Sequence, residues 1–316
     1  MIGAGDIVRK RVAPAIHDTE NCDLYAVSRG RADLAQAFAK EFDIPHFFSD
    51  WREMLADKNI DAVYIATPVY LHAEQTIAAA NAGKHVLCEK PMALTVTDCD
   101  RMIAACASNR VKLGIAYYRR FYPVLERVRK LLASGEIGKP VTAQMNAFEY
   151  VDISTDADRG WLLDKSKSGG GPMMDFGCHR IEVLTDLIGD VESVKSLIAN
   201  VSFTDRDVED TAISSFKFSS GMLATLTVTH AAREAQDTLD VFCTDGSIHI
   251  SNLNKGTMRL ITPDGETTEH HPPHNNIHQP LIEDFTQAIL KGTDPRVNGQ
   301  DGKRVSALLD KIYTNA

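Results

Sequence analysis

The sequence predicts a doubly wound α/β unit with a parallel sheet, followed by an α+β unit built on a large, mostly antiparallel open sheet. Two observations carry this reading. Residues 1–118 alternate short apolar runs with amphipathic segments, the pattern of βαβ units. Beyond residue 118 apolar side chains recur with period two, and turn pairs separate the runs. A chain of 316 residues has room for two cores, assigned here to 1–118 and 119–316.

In the first unit, strands are expected at 24–28, 62–67, 85–89 and 112–116, with helices at 32–42, 50–56, 72–82 and 96–108. The third helix runs into Gly83, a natural stop. The second unit opens with a helix at 122–134 and continues with strands at 141–150, 191–203, 211–218, 223–229, 239–243 and 258–262. The pairs Ser220-Gly221, Asp245-Gly246 and Asp264-Gly265 supply its hairpin turns. Helices at 281–290 and 302–313 close the chain. Only Met1 and Ile2 precede the first glycine turn, where a first strand takes about five residues. Because the last helix also stops without a cap, a trimmed chain is expected.

Composition narrows the function classes. A net charge of -9 disfavours a broad nucleic-acid or anionic-membrane surface, since both partners are polyanions. The six cysteines form no CxxC pair, which suits reduced thiols in the cytoplasm better than a disulfide framework. No basic region leads an apolar run at the amino terminus, and no stretch reaches about 18 apolar residues, so neither export nor membrane insertion is expected. His270, His271, His274 and His278 surround Pro272-Pro273 and Asn275-Asn276 in an irregular loop, without acidic or thiol ligands at regular spacing. No metal site is expected there.

Gly3-Ala4-Gly5, continued by Asp6 and Ile7 at the start of a helix, reads as a phosphate-binding turn of a Rossmann fold. The two glycines let backbone approach a pyrophosphate, and amides at the helix start meet its charge. Val8 takes the position of the third glycine, which requires a slight displacement of the helix. About 20 residues further on, where a carboxylate would bind the ribose hydroxyls of NAD, the chain has Ser28-Arg29. A guanidinium can hold a 2′-phosphate, so NADP is favoured and NAD is possible. Thr67-Pro68 and His72 lie at the carboxyl edge of the sheet, where the nicotinamide half would run.

Glu89-Lys90-Pro91 puts a lysine at a strand end, a stiff mount from which a partly desolvated amine can exchange a proton with a substrate hydroxyl. Asp175 and His179 are four residues apart, which on a helix puts them on one face, and Gly169-Gly170-Gly171 before them would let a ligand approach closely. Tyr118 and Trp161 are the expected substrate wall, because aromatic faces pack on sugar rings.

In their joint order the glycine turn, Ala66-Thr67-Pro68 with His72, Glu89-Lys90-Pro91, Arg120-Phe121, and Gly169-Gly170-Gly171 with Asp175 and His179 resemble the Gfo/Idh/MocA oxidoreductase family over nearly the whole chain. The resemblance implies a Rossmann domain carrying NAD or NADP and a second domain whose open sheet often forms a dimer or tetramer contact. It implies Lys90 as the catalytic lysine, His179 as a proton-relay or substrate-orienting histidine, and Asp175 as a substrate hydrogen-bonding partner. The chain departs from the pattern at Val8, at Tyr118 where asparagine is usual, and at Glu182 where aspartate is common. The expected reaction is hydride exchange between NADP(H) and a carbinol or carbonyl carbon of a sugar, cyclitol or related polyol. An NAD-dependent glycoside hydrolase of the same family type, or a non-catalytic dinucleotide or sugar sensor, are the alternatives.

Overall fold

The structure is a computed structural model that describes residues 1–153 and 159–316. Its contacts divide into two units, Met1–Tyr118 with Asn275–Ser306, and Arg119–His274 with Ala307–Ala316.

The first unit is a parallel sheet between helices. Its strands are β1 (Ala26–Ser28), β2 (His46–Phe48), β3 (Ala62–Ile65), β4 (His85–Cys88) and β5 (Leu113–Ile115). β1 pairs with β2, and β3, β4 and β5 pair in that order, all parallel. Ile2 joins the two groups by parallel bridges to Ser28 and Ile65, so the central strand is reduced to a bridging residue that is only 1% exposed. β2 escaped the sequence reading because it has three residues and two of them, His46 and Phe47, are exposed.

Helices α1 (Ala13–His17), α2 (Ala32–Glu41), α3 (Trp51–Leu55), α4 (His72–Asn81) and α5 (Val96–Ser108) follow the expected pattern. Asp50 caps α3 by accepting from the Arg52 amide, and Thr95 caps α5 by accepting from the Asp98 amide. α1 is preceded by a π-helical stretch, Val8–Val12. The widened turn begins at Val8, which is completely buried, and so makes room where a third glycine would otherwise allow close packing.

The domain boundary needs one correction. The segment 275–306, which the sequence reading assigned to the second domain, packs with the first unit. It carries α9 (Gln279–Lys291) and the first half of α10 (Gly299–Thr314). Ile115 donates its amide to Val297 O at 3.0 Å, and Gly114 bridges Asn298, so the returning chain pairs with β5. Phe285 fits over Gly114, where a Cβ would meet its ring at 2.9 Å. A local pattern does not reveal this contact because its partners are far apart in sequence.

The second unit begins with α6 (Pro123–Ser134). Its sheet has eight strands: β6 (Pro140–Tyr150), β7 (Val191–Ala199), β8 (Thr211–Phe218), β9 (Leu223–Thr229), β10 (Ala231–Cys243), β11 (Ser247–Ile250), β12 (Thr257–Thr262) and β13 (Gly265–His270). The order is β13-β12-β11-β10-β6-β9-β8-β7, antiparallel throughout except for the parallel pair β6 and β9. In β8, Ala212, Ser214, Phe216 and Phe218 are buried while Ile213, Ser215 and Lys217 are exposed, the alternation of a sheet with one open face. α7 (Lys165–Ser168) and α8 (Cys178–Ile188) precede β7, and α8 contacts α6. β7 stops at Ala199 rather than at residue 203, because the Asp210 carboxylate accepts the amides of Val201, Ser202 and Phe203 and draws them into a loop. Among the described residues no helix is long and apolar enough to cross a membrane.

Candidate active site

In the first unit, Gly3 has φ +89° and donates its amide to Ser28 O at 3.0 Å; a Cβ there would lie 2.7 Å from Ala66 O. Only glycine fits both the torsion and the close approach. Gly5 is different: a Cβ would meet nothing within 4 Å. The backbone there borders open space at the start of the helical run, as a pyrophosphate cradle must. Asp6 and Ile7 open that run, Asp6 pairing with Lys10 at 3.2 Å and Ile7 standing 40% exposed. The residues therefore fit a dinucleotide. Ser28 is 2% exposed, and Arg29 follows it half-buried. The nearby Arg31 forks onto Asp33 at 3.2 and 2.6 Å.

After β3, the Thr67 hydroxyl donates to Gln75 Oε1 at 2.6 Å, and Pro68 leads into a short 3-10 turn. His72 is 1% exposed, with Nε2 at 2.8 Å from Thr67 O and Nδ1 at 3.0 Å from Pro91 O. Burial lowers its pKa. The ring thus ties together two loops at the carboxyl end of the sheet. Glu89 accepts from the Tyr64 hydroxyl at 2.7 Å and from the Lys90 amide at 3.2 Å. Lys90 itself is half-buried in this loop, and Lys90-Pro91 is a cis peptide. Tyr118 packs against His278 with centroids 4.6 Å apart and ring planes tilted by 35°.

In the second unit, a π-helical stretch, Met173–Gly177, leads into α8 and carries Asp175. Asp175 Oδ2 lies 3.7 Å from Arg159 and 4.0 Å from His230 Nε2. His230 in turn lies nearly parallel to Phe176, with centroids at 4.8 Å. His179 is 4% exposed on α8. Asp175 and His230 border a small open cavity that is also lined by Leu162, Leu163, Arg206 and Glu209. Trp161 is half-buried in the turn Gly160–Leu163.

A Cβ on Gly170 would overlap the Tyr313 hydroxyl, and one on Gly171 would overlap Glu209 O. Both glycines are thus closely packed by the protein's own atoms and also line the cavity beside Asp175. Glu209 explains the arrangement: its carboxylate accepts from Gly171 N at 2.8 Å, Met173 N at 3.2 Å and the Tyr313 hydroxyl at 2.7 Å. It thereby fixes the backbone just before Asp175. Arg120 pairs with Glu182 and with Asp186, at 3.0 Å for the latter.

Sequence reasoning missed Tyr64, Phe176, Glu209, His230 and His278. Each is joined to its partner by the fold across distant positions, and none stands in a recognisable spacing. The histidines of the 270–278 region have separate duties: His271 pairs with Glu269 at 2.6 Å, His270 approaches the Thr257 hydroxyl at 3.2 Å, and His278 is buried near Glu89. Among the described residues no set of three His, Cys, Asp or Glu side chains is placed to hold a metal ion.

A parallel sheet with a glycine turn leading into a helix defines a dinucleotide-binding unit. Residues 1–117 match the oxidoreductase family with an NAD-binding Rossmann fold, and residues 125–249 match the Gfo/Idh/MocA C-terminal domain. The chain is 30% identical over 307 residues to 1,5-anhydro-D-fructose reductase of Ensifer adhaerens, covering 96% of this chain and 91% of the relative. It is 30% identical over 323 residues to D-xylose 1-dehydrogenase (NADP(+)) 2 of Haloferax volcanii, covering 100% and 96%. The solved structure of levoglucosan dehydrogenase in complex with NADH superposes with a TM-score of 0.91 at 24% identity, over 100% of this chain and 95% of that one. The chain belongs to the Gfo/Idh/MocA family of oxidoreductases.

Proposed function

We propose that this enzyme interconverts a carbinol and a carbonyl on a sugar, cyclitol or related polyol, using NADP(H) in preference to NAD(H), in the cytoplasm. When bound, the nicotinamide exchanges hydride with the reacting carbon. Gly3, Gly5, Asp6 and Ile7 would hold the pyrophosphate, Ser28 and Arg29 the adenosine ribose with its 2′-phosphate, and Thr67, Pro68 and Glu89 the nicotinamide half. Lys90 donates or accepts the hydroxyl proton. His179 assists that transfer or fixes the oxygen, Asp175 orients a neighbouring hydroxyl, and Tyr118 and Trp161 contribute wall.

The observation that supports this best is the mounting of Lys90. A lysine at a strand end has a fixed root, and here its backbone amide is tied to a carboxylate that a buried tyrosine anchors. Sugar and polyol substrates are favoured by the names of the relatives and by the cavity at Asp175, where a carboxylate, an imidazole and apolar side chains meet. Arg29 supports NADP, since the carboxylate that would repel a 2′-phosphate is replaced by a serine and a cation.

Replacing Lys90 by alanine is expected to lower kcat by about 10²–10⁴ while dinucleotide affinity, read by quenching of protein fluorescence, is retained. Near-normal turnover would remove the proton role. A coupled absorbance screen of aldoses, ketoses and inositols with both cofactors tests substrate class and preference together. Equal kcat/KM with NADH and NADPH would count against the role of Arg29, and glycoside cleavage without net cofactor change would favour the hydrolytic alternative. A homodimer or homotetramer through the open sheet is supported by Leu197, Ile213 and Leu223, which are 75%, 44% and 56% exposed. A monomeric mass in solution at micromolar concentration would refute it.

A further inference from the structure

Glu89, next to Lys90 in the chain, is held by side chains from distant positions. The Glu89 side chain is 11% exposed, and two donors, the Tyr64 hydroxyl and the Lys90 amide, favour its ionised form. Tyr64 stays protonated, because burial and the adjoining Glu89 charge both raise its pKa. His278 stands on the carboxylate's remaining flank. Its ring is 1% exposed, packs at a tilt against Tyr118, and places Nε2 4.0 Å from Glu89 Oε1, too far for a hydrogen bond.

Beside an anion an imidazole ordinarily gains a proton, yet His278 is pushed down to about 3 by burial, then by the positive charges of Arg11 and Lys90. Its Nδ1 has no hydrogen-bond partner among the described residues. The remaining titratable groups of this corner are His72 on α4, neutral because burial lowers it, Cys88 at the end of β4, raised well above its usual range by burial, and Tyr118. A protonated His278 would neutralise Glu89. A neutral one shields the carboxylate from water and leaves its charge to act on the cation of the same loop.

We propose that Tyr64, Glu89 and His278 form a buried array that positions Lys90 for proton exchange, with Glu89 as counter-charge of the ammonium form and the two neutral groups as its walls. Tyr64 and His278 are positioning residues that act through Glu89, which serves Lys90 in addition to the nicotinamide half, and the inference rests on the proton role given to Lys90 above.

The test uses the full-length protein without cofactor. The rate at which Lys90 reacts with an amine-directed acylating reagent, followed by peptide mass spectrometry across pH, reports the midpoint of its deprotonation. In Glu89→Gln that midpoint is expected to fall by about one unit or more. In His278→Phe, which stays neutral and can stack on Tyr118, it is expected to remain at the wild-type value, whereas His278→Lys lowers it. An unmoved midpoint in folded Glu89→Gln, or a fall in His278→Phe as large as in Glu89→Gln, would overturn the array. If Glu89→Gln does not fold, Tyr64→Phe decides: a fall of about tenfold in kcat at unchanged KM supports the array, and unchanged midpoint and kcat overturn it. These readings are independent of Lys90→Ala kinetics, so failure of the array and failure of the proton role are separately visible.

Discussion

Gly5 in the first unit and Gly171 in the second each stand just before a π-helical stretch, yet a methyl group added at Gly5 meets nothing within 4 Å, whereas one at Gly171 would overlap the Glu209 carbonyl oxygen. At Gly5 the absent side chain leaves space outside the protein's own packing. At Gly171 the space is already filled by Glu209, whose carboxylate also takes the Gly171 and Met173 amides. One glycine leaves room beside it and the other is hemmed in by its own fold. The first unit presents open backbone at its turn, while the second presents side chains, Asp175 and His230, from a backbone locked by buried polar bonds.

Gly171→Ala should therefore give the largest effect. Backbone must move to clear the overlap, and the Glu209 bonds move with it, so a loss of about 3 kcal/mol or more is expected. Thermal unfolding and soluble yield read this directly; a melting temperature equal to wild type would show that the site relaxes freely. Gly5→Ala should leave the melting temperature unchanged and weaken dinucleotide binding by about tenfold, equivalent to about 1.4 kcal/mol. Unaltered affinity in that variant would mean that the open space beside Gly5 is not where the pyrophosphate lies.

The same contrast explains what could be read from sequence. Ser28-Arg29 and Glu89-Lys90-Pro91 stand at the ends of β1 and β4, so their location at the carboxyl edge of the first sheet follows from the alternation of strand and helix. The antiparallel sheet was legible from period-two burial, as in β8. The triple glycine was legible only as a special place, because its cause lies in Glu209 and Tyr313, roughly 40 and 140 residues downstream. His278 was hidden differently. It stands in a loop along which the chain passes from the second unit to the first. β2 and the pairing of β5 with Val297 and Asn298 were too short for any periodic signal.

The two units should also answer acid differently. In the first, His72 and His278 are buried neutral, with pKa values lowered by burial, His278 to about 3. The unfolded chain binds those protons near pH 6.5, so this stability is present above that value and is lost as the pH falls toward the folded values. In the second, the hydrogen bond from Arg127 holds Glu269 down to about 2, and at Asp237 burial is outweighed by Arg180 and Arg119, leaving its pKa lowered. Stability from these carboxylates is present above about 4.5 for Glu269 and is lost only as the pH drops toward 2. Glu209, raised by burial, acts with the opposite sign: its contribution is present below 4.5 and is lost as the pH rises through its folded value. Lowering the pH from about 7.5 to about 5 should therefore loosen β4 and the Lys90 loop before the β6–β10 pairing. Hydrogen exchange corrected for intrinsic rates reads the two regions in one sample. Loss of protection in β6 and β10 ahead of β4 would show that the carboxylates, not the buried imidazoles, set the acid limit of this fold.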